Sequence, residues 1–276
     1  MSALTRVGVI AGYEWRRALA KKKVLALVIL AIAFQTLLIV GFYEVYRSTP
    51  AGTTVFGISN DFMWIYAVLG GLGLFVVQLI AIIVAGGSMS EEYEHGTADI
   101  LLSKPISRIE YLFGKFLGGF SLLAMVEALI TFVGVVLSIG FFGAQSDLQF
   151  APLMFLAIVY SSLIFFCLSF MFSEVFRGTT VAMLLAFAVY IASSVITPIL
   201  SYLYGTVARA TPIWAASSLT GLLMSEVITP LSSNGLPAVD TEALYEAALI
   251  IAVYAVVFII IAALRLLKSD VTKKAD

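Results

Sequence analysis

Histidine and cysteine are almost missing from this chain: His95 and Cys167 are the only examples in 276 residues. A single cysteine excludes an intramolecular disulfide, and so few imidazole and thiolate ligands exclude a His-rich or Cys-rich metal centre. Charge is scarce too. Only 12% of residues are charged, where a soluble domain carries about 25%. With 61% hydrophobic residues and a mean hydropathy of +1.06, most of the surface must face lipid. Nucleotide and hydrolase signatures are also absent. At Gly114-Lys115 the following residue is Phe116 and the first-glycine position holds Ile109, so the backbone cradle and magnesium-binding hydroxyl of a P-loop cannot form. No Gly-x-Ser-x-Gly elbow occurs, no ten-residue alternation points to a barrel, and no internal repeat points to inverted transporter halves. The chain is therefore expected to be no enzyme and to bind no metal, cofactor or nucleic acid of its own.

What is present is a series of apolar runs, near residues 24–43, 63–86, 116–142, 151–173, 180–203 and 246–267. Crossing a hydrocarbon core of roughly 30 Å takes about 20 such residues. In lipid the backbone must satisfy its own hydrogen bonds, so each run is a helix. The expected fold is all-α: a polytopic membrane protein with six transmembrane helices, forming a single transmembrane domain over 1–276. If the N-terminus is cytoplasmic, fourteen of the sixteen Lys and Arg residues lie on the inner side and only Arg47 and Arg209 outside. That bias sets both termini in the cytoplasm of a cell-membrane protein. Phe42, Tyr43, Tyr46, Trp64, Tyr66, Tyr202 and Tyr204 would then form the outer aromatic belt.

The first run follows Lys21 to Lys23 like the core of a signal peptide, yet it is long and ends without an Ala-x-Ala site, which marks a retained span. Before it, Leu4, Val7, Ala11, Trp15 and Ala18 recur at helical spacing beside Arg6, Arg16, Arg17 and Lys21. Residues 1–23 are expected to be an amphipathic helix in the inner interface. The outer connection 204–245 contains an apolar stretch from Thr211-Pro212-Ile213-Trp214 to Met224, too short to span, followed by the Gly/Pro/Ser/Asn loop 230–239. It is expected to be a short or re-entrant helix.

Polarity concentrates in the inner segment 87–115. Glu91, Glu92 and Glu94 begin it, Gly96 breaks the helix, and Thr97 or Ser103 is positioned to cap the next one. Ile100, Leu101, Leu102, Ile109, Leu112 and Phe113 alternate with Asp99, Lys104, Arg108 and Glu110 around a Ser103-Lys104-Pro105 turn. Such an amphipathic elbow either inserts into a groove on a soluble partner or wets the inner membrane surface; composition leaves both open.

The series Glu91, Gly96-Thr97, Leu101-Leu102-Ser103-Lys104-Pro105-Ile106-Ser107-Arg108, Tyr111 and Gly114-Lys115-Phe116 resembles the segment after the second span of ABC-2 type permeases, the membrane subunits of ABC transporters. The motif covers a small part of the chain; the rest agrees by architecture. The resemblance implies the permease subunit of an exporter, embedded in membrane lipid and paired with a second copy or a related permease. A separate ATPase subunit would carry ATP and Mg and drive the permease through a coupling helix. It further implies that Glu91, Glu94, Gly96, Thr97, Leu101, Pro105, Ile106, Ser107 and Arg108 form the coupling site, with Glu91, Glu94 and Arg108 in charged contacts and Leu101 and Ile106 filling a groove.

Glu127 stands apart. It lies twelve residues beyond Lys115, or about 18 Å at helical rise, which places a carboxyl deep in a span. It marks either a polar wall or ion relay of the translocation path, or a protonated group bonded to Gln35, Gln78 or Thr131. The relay reading leads to the alternative function: a stand-alone six-span ion-coupled transporter, or a membrane scaffold. Gly70, Gly71 and Gly73, and Gly114 with Gly118, are expected to bring helices together; Cys167 and Met171 to fill core rather than hold copper(I); His95 to be a solvated loop residue. The uniformly apolar spans do not name a cargo.

Overall fold

Long apolar runs without interior breakers fold as helices, and a computed structural model of the protein builds that expectation over residues 2–20, 22–50, 53–55, 58–59, 74–98, 106–144, 148, 151–228 and 241–268. The helices are α1 (Ala3–Leu19), α2 (Lys22–Ser48), α3 (Leu74–Gly86), α4 (Ser90–Glu94), α5 (Arg108–Phe142), α6 (Ala151–Phe176), α7 (Thr179–Tyr204), α8 (Pro212–Ile228) and α9 (Thr241–Lys268). A 3-10 turn, Gly205–Ala210, links α7 to α8. The strands β1 (Thr54–Val55) and β2 (Ile58–Ser59) pair antiparallel, Thr54 opposite Ser59. Among the described residues six segments are long and apolar enough to cross a membrane: 25–48, 75–94, 108–142, 151–176, 179–210 and 242–268. The protein is an all-α, multi-pass membrane protein, as the sequence predicts.

Burial sorts the spans into two groups. The windows in α3–α4 and α6 are 72% and 67% buried, whereas those in α2, α7 and α9 are 17–22% buried. The inner pair makes the core, and the outer helices turn Leu30 and Leu37 of α2, Leu184 of α7 and Leu249 of α9 outward, as lipid-facing surfaces require. Helix α5 closes on α6 through aromatic rings: Phe116 and Phe120 meet Phe166 edge-on at 5.6 and 5.4 Å. Cys167 is fully buried beside this cluster. Helix α8 buries Ile213, Ala215, Ala216 and Leu219 and packs on α6, α7 and α9; at 17 residues it stays too short to count among the spans.

Two features differ from the simplest reading of the sequence. First, α5 is one uninterrupted 35-residue helix, begun by a capping box in which Ser107 accepts from Glu110 N and Glu110 reaches back to Ser107 N. The helix expected directly after Gly96 opens at residues 97–98 and continues, with Ser103, outside the described residues; Thr97 Oγ1 lies 3.4 Å from Glu92 O. Second, α1 runs beside the opening turns of α5. Arg6 bonds Glu110, and Trp15 Nε1 donates to Ser121 at 2.7 Å. Between those contacts the backbones nearly touch: a Cβ on Gly114 would sit 2.6 Å from Ile10 Cβ, and one on Gly118 would sit 2.7 Å from Glu14 Cβ and 3.0 Å from Ala11 Cα. The Gly114–Gly118 pair is thus a docking strip for the N-terminal helix. Gly70, Gly71 and Gly73 lie outside the described residues.

Candidate functional site

The described parts of the polar segment, 87–98 and 106–115, sit at the end of the bundle that carries α1 and the close of α9. Helix α3 stops at Gly86, and a turn over Gly87, Ser88 and Met89 leads to α4. Gly86 is needed there because a Cβ would fall 2.6 Å from Met183 Cγ, and at Gly87 one would fall 2.8 Å from Glu91 Oε1. Helix α4 has no cap of its own. Ser173 of α6 supplies it, accepting from Met89 N at 3.1 Å and Ser90 N at 2.8 Å. Gly96, with φ +68°, then ends the element in a conformation that costs a side chain with a Cβ about 1 kcal/mol or more.

The glutamates of α4 point three ways. Glu91 Oε2 lies 2.6 Å from Arg17 Nη2 of α1. Glu92 lies 2.7 Å from Arg17 Nη1, accepts from Tyr111 OH at 2.5 Å, and contacts Lys115 of α5. Lys115 in turn contacts Glu14 of α1 and lies 5.6 Å from the Tyr111 ring. Its side chain is 0% exposed, and Glu14 and Glu92 are nearly as buried. Two cations from two helices and three acids from two therefore pair with one another largely out of water, which holds α1, α4 and α5 as a unit. At the rim Glu110 bonds the half-exposed Arg6 and holds its guanidinium pKa above the ordinary value.

Glu94 reaches across to α7, accepting from Thr179 N at 2.6 Å and from Thr179 Oγ1 at 2.9 Å, so it caps a transmembrane helix other than its own. Tyr93 donates to Glu174 of α6 at 2.8 Å and lies under the Arg177 guanidinium, 4.6 Å from the ring centre. Arg108 donates to Leu266 O at 2.8 Å and to Leu267 O at 3.2 Å, filling the open carbonyls at the end of α9. Ile106 packs partly buried against the core. His95 is exposed and places Nδ1 2.6 Å from Glu91 O. Leu101 and Pro105 lie outside the described residues.

Of the residues singled out in the sequence, Glu91, Glu94 and Arg108 are thus each engaged by another helix of the same chain, while Glu94, His95, Gly96 and Ser107 keep exposed surface. Glu14, Arg17, Glu92, Tyr111, Lys115 and Ser173 make site contacts that the sequence reading assigns to none of them. One signal was available: Glu14 is the only acid in the first twenty-three residues, on a helix otherwise basic or apolar.

Glu127 is 0% exposed in the middle of α5. Neither of its carboxyl oxygens has a hydrogen bond of ordinary geometry, and neither amide atom of Gln78 nor Thr131 Oγ1 has one. The Ser162 hydroxyl of α6 donates to Val159 O at 2.8 Å. Among the described residues no group of three or more His, Cys, Asp or Glu side chains has the geometry to hold a metal.

No curated protein matches the chain. The family described as ABC-2 family transporter protein matches residues 9–271, a stretch that takes in the α1 contacts with Gly114 and Gly118, the ion-pair network and all six spans. The chain belongs to the ABC-2 transporter family, as a membrane-embedded permease component of an ABC transporter.

Proposed function

We propose that this chain is the permease subunit of an ABC exporter in the plasma membrane, with both termini cytoplasmic, and that the segment 87–115 receives the stroke of a separate ATPase subunit carrying ATP and Mg. Two copies, or this chain and a related permease, enclose the path. One observation carries the reading: side-chain and backbone groups of this short segment are bonded to α1, α6, α7 and α9 through Arg17, Ser173, Thr179 and the Leu266 carbonyl. A push on the segment is therefore felt across the bundle, which is what a coupling element must achieve. In this division of labour Glu91 and Arg108 anchor the segment, Glu94 carries its motion to α7, and the Gly96–Thr97 and Ile106–Ser107 flanks, with Leu101 and Pro105 between them, meet the ATPase. Glu94, exposed beside Gly96, also adds charge at that contact.

Cys167 is buried, so an introduced surface thiol can be addressed selectively. A photo-crosslinker on His95→Cys, in protein purified from its native membrane, is expected to capture a P-loop ATPase. The same probe on Tyr202→Cys, 90% exposed at the end of α7, is expected to capture none. No ATPase captured by the His95→Cys probe, with transport retained by the chain alone, would refute the proposal and favour a stand-alone ion-coupled transporter; no ATPase and no transport would favour a scaffold.

A further inference from the structure

Where α1 meets the turn between α3 and α4, the packing leaves a cavity of about 30 Å³. Its polar wall is made by Glu14 and Arg17 of α1, Ser88 of the turn and Glu91 of α4; its apolar wall includes Ile83 of α3 and Leu122 of α5. Gly119 keeps the α5 side open: a Cβ there would come 3.1 Å from Phe166 Cζ and 3.8 Å from Ser88 Oγ. The serine hydroxyl therefore faces α5 across the cavity.

Ser88 is 3% exposed. Its backbone N–H donates to Ala85 O at 3.0 Å, but its side-chain oxygen is buried with no hydrogen-bond partner in the protein. The next serine shows the contrast, since Ser90 Oγ donates to Gly86 O at 2.6 Å and meets Thr179 Oγ1 at 2.9 Å. A buried hydroxyl left without a partner costs on the order of 1–3 kcal/mol, and native structures meet that cost with ordered water where there is room for it.

Charge and size select the occupant. An anion would face the Glu14 and Glu91 carboxylates, and a bare cation would face the Arg17 guanidinium, whose Nη2 also donates to Gly87 O at 3.2 Å. A small dipolar molecule that both donates and accepts suits a wall carrying both signs. A water needs roughly 10–15 Å³ of such space and 2–4 polar partners, so the cavity has room for about two. The neighbouring network has a use for them. Among the described residues Glu14, Glu91 and Glu92 share the two cations Arg17 and Lys115, and ion pairs out of water hold only when further hydrogen bonds serve the remaining lone pairs. We infer that the cavity is a hydration site, in which about two waters accept from Ser88 Oγ and donate to the Glu14 and Glu91 carboxylates, joining α1 to the α3–α4 turn through water. A water can reorient where two side chains cannot, so the joint tolerates small shifts of the turn against α1. The site does not depend on any ATPase contact.

Synchrotron hydroxyl-radical footprinting of the full chain in lipid nanodiscs tests this, because X-rays generate the radical from water held beside the side chain that it oxidises. Two adjacent leucines make the comparison. Leu122 lines the cavity at 2% exposure, while Leu123, at 0%, does not. Leu122 is expected to be oxidised several-fold faster than Leu123, at the same rate in sodium, potassium and choline chloride. In Ser88→Val, where methyl groups replace the hydroxyl and take up part of the cavity, Leu122 is expected to fall to the level of Leu123. Equally slow oxidation of both leucines in the parent would overturn the inference, since the cavity would then be dry. So would a Leu122 rate that follows the choice of cation, because an ion would then hold the site. An unchanged Leu122 rate in Ser88→Val would also overturn it by placing the water elsewhere. Should that variant fail to fold, Ser88→Ala removes the hydroxyl alone and is read in the same way, and the comparison of the two leucines in the parent needs no variant.

Discussion

Replacing Lys115 with methionine removes one positive charge from the most enclosed part of the network while keeping the length of the side chain. Lys115 is 0% exposed and contacts both Glu14 and Glu92. The variant leaves Arg17 to serve Glu92 at 2.7 Å and Glu91 at 2.6 Å, with Glu14 only 3.6 Å from the same guanidinium. Removing one partner of a buried pair costs about 3–5 kcal/mol, because Glu14, Glu91 and Glu92 are then left out of water with a single guanidinium among them. That energy is spent at the junction of α1 with α5, so α1 should undock before the bundle unfolds. At 1.4 kcal/mol per decade the undocked population rises by roughly two to three and a half decades. The readout is maleimide labelling of Ile10→Cys, a position 9% exposed against Gly114, with Cys167 silent in the core. A rate increase of at least about a hundredfold is expected. Arg6→Gln, which breaks the rim pair with Glu110, should change the rate only a few-fold, since ion pairs open to water contribute little. If Lys115→Met labels no faster than Arg6→Gln, the network does not hold α1 and the argument fails.

Three further outcomes follow from the packing of α1 and the cap of α4. Gly118→Leu puts a side chain where the Cβ alone would lie 3.0 Å from Ala11 backbone; it is expected to cost about 1–3 kcal/mol or more by overpacking and to expose the Ile10→Cys thiol. Gly140→Ala, with nothing within 4 Å of the new methyl group, should leave labelling unchanged. Ser173→Ala removes the acceptor for Met89 N and Ser90 N; it is expected to destabilise α4 by about 0.5–2 kcal/mol, read as faster amide exchange at residues 89–94 with exchange in α6 unaffected.

The spans were legible because their signal is local: an apolar run of sufficient length in a chain with little charge. The start of α5 is legible too, since Ser107-Arg108-Ile109-Glu110 is a capping-box sequence. The network was not. Glu14, Glu92 and Lys115 are separated by 78 and 23 positions, and no periodicity announces a contact that only the docking of α1 creates. Gly114 and Gly118 could be read as a close-packing strip, but not as the seat of the N-terminal helix. Glu94 shows the same limit. As a sequence feature it is an acid in a charged loop, whereas its value lies in capping a helix that starts at Thr179, eighty-five residues away. Long-range polar pairing depends on the assembled bundle, so it appears only once helix faces have been set against one another.

The length of α5 has a mechanical consequence. Its 35 residues make a rod of about 52 Å, longer by roughly 20 Å than a hydrocarbon core. Helix α1 lies against the first fourteen residues, from Arg108 to Ser121, as a splint that resists bending. The rod therefore behaves as a lever with a stiffened short arm of about 20 Å and a long arm of about 31 Å. If it rocks where α1 ends, a small displacement at Ser107 emerges at Phe142 in the opposite direction and about one and a half times larger. Cutting the splint would let the short arm flex and absorb the stroke before it arrived.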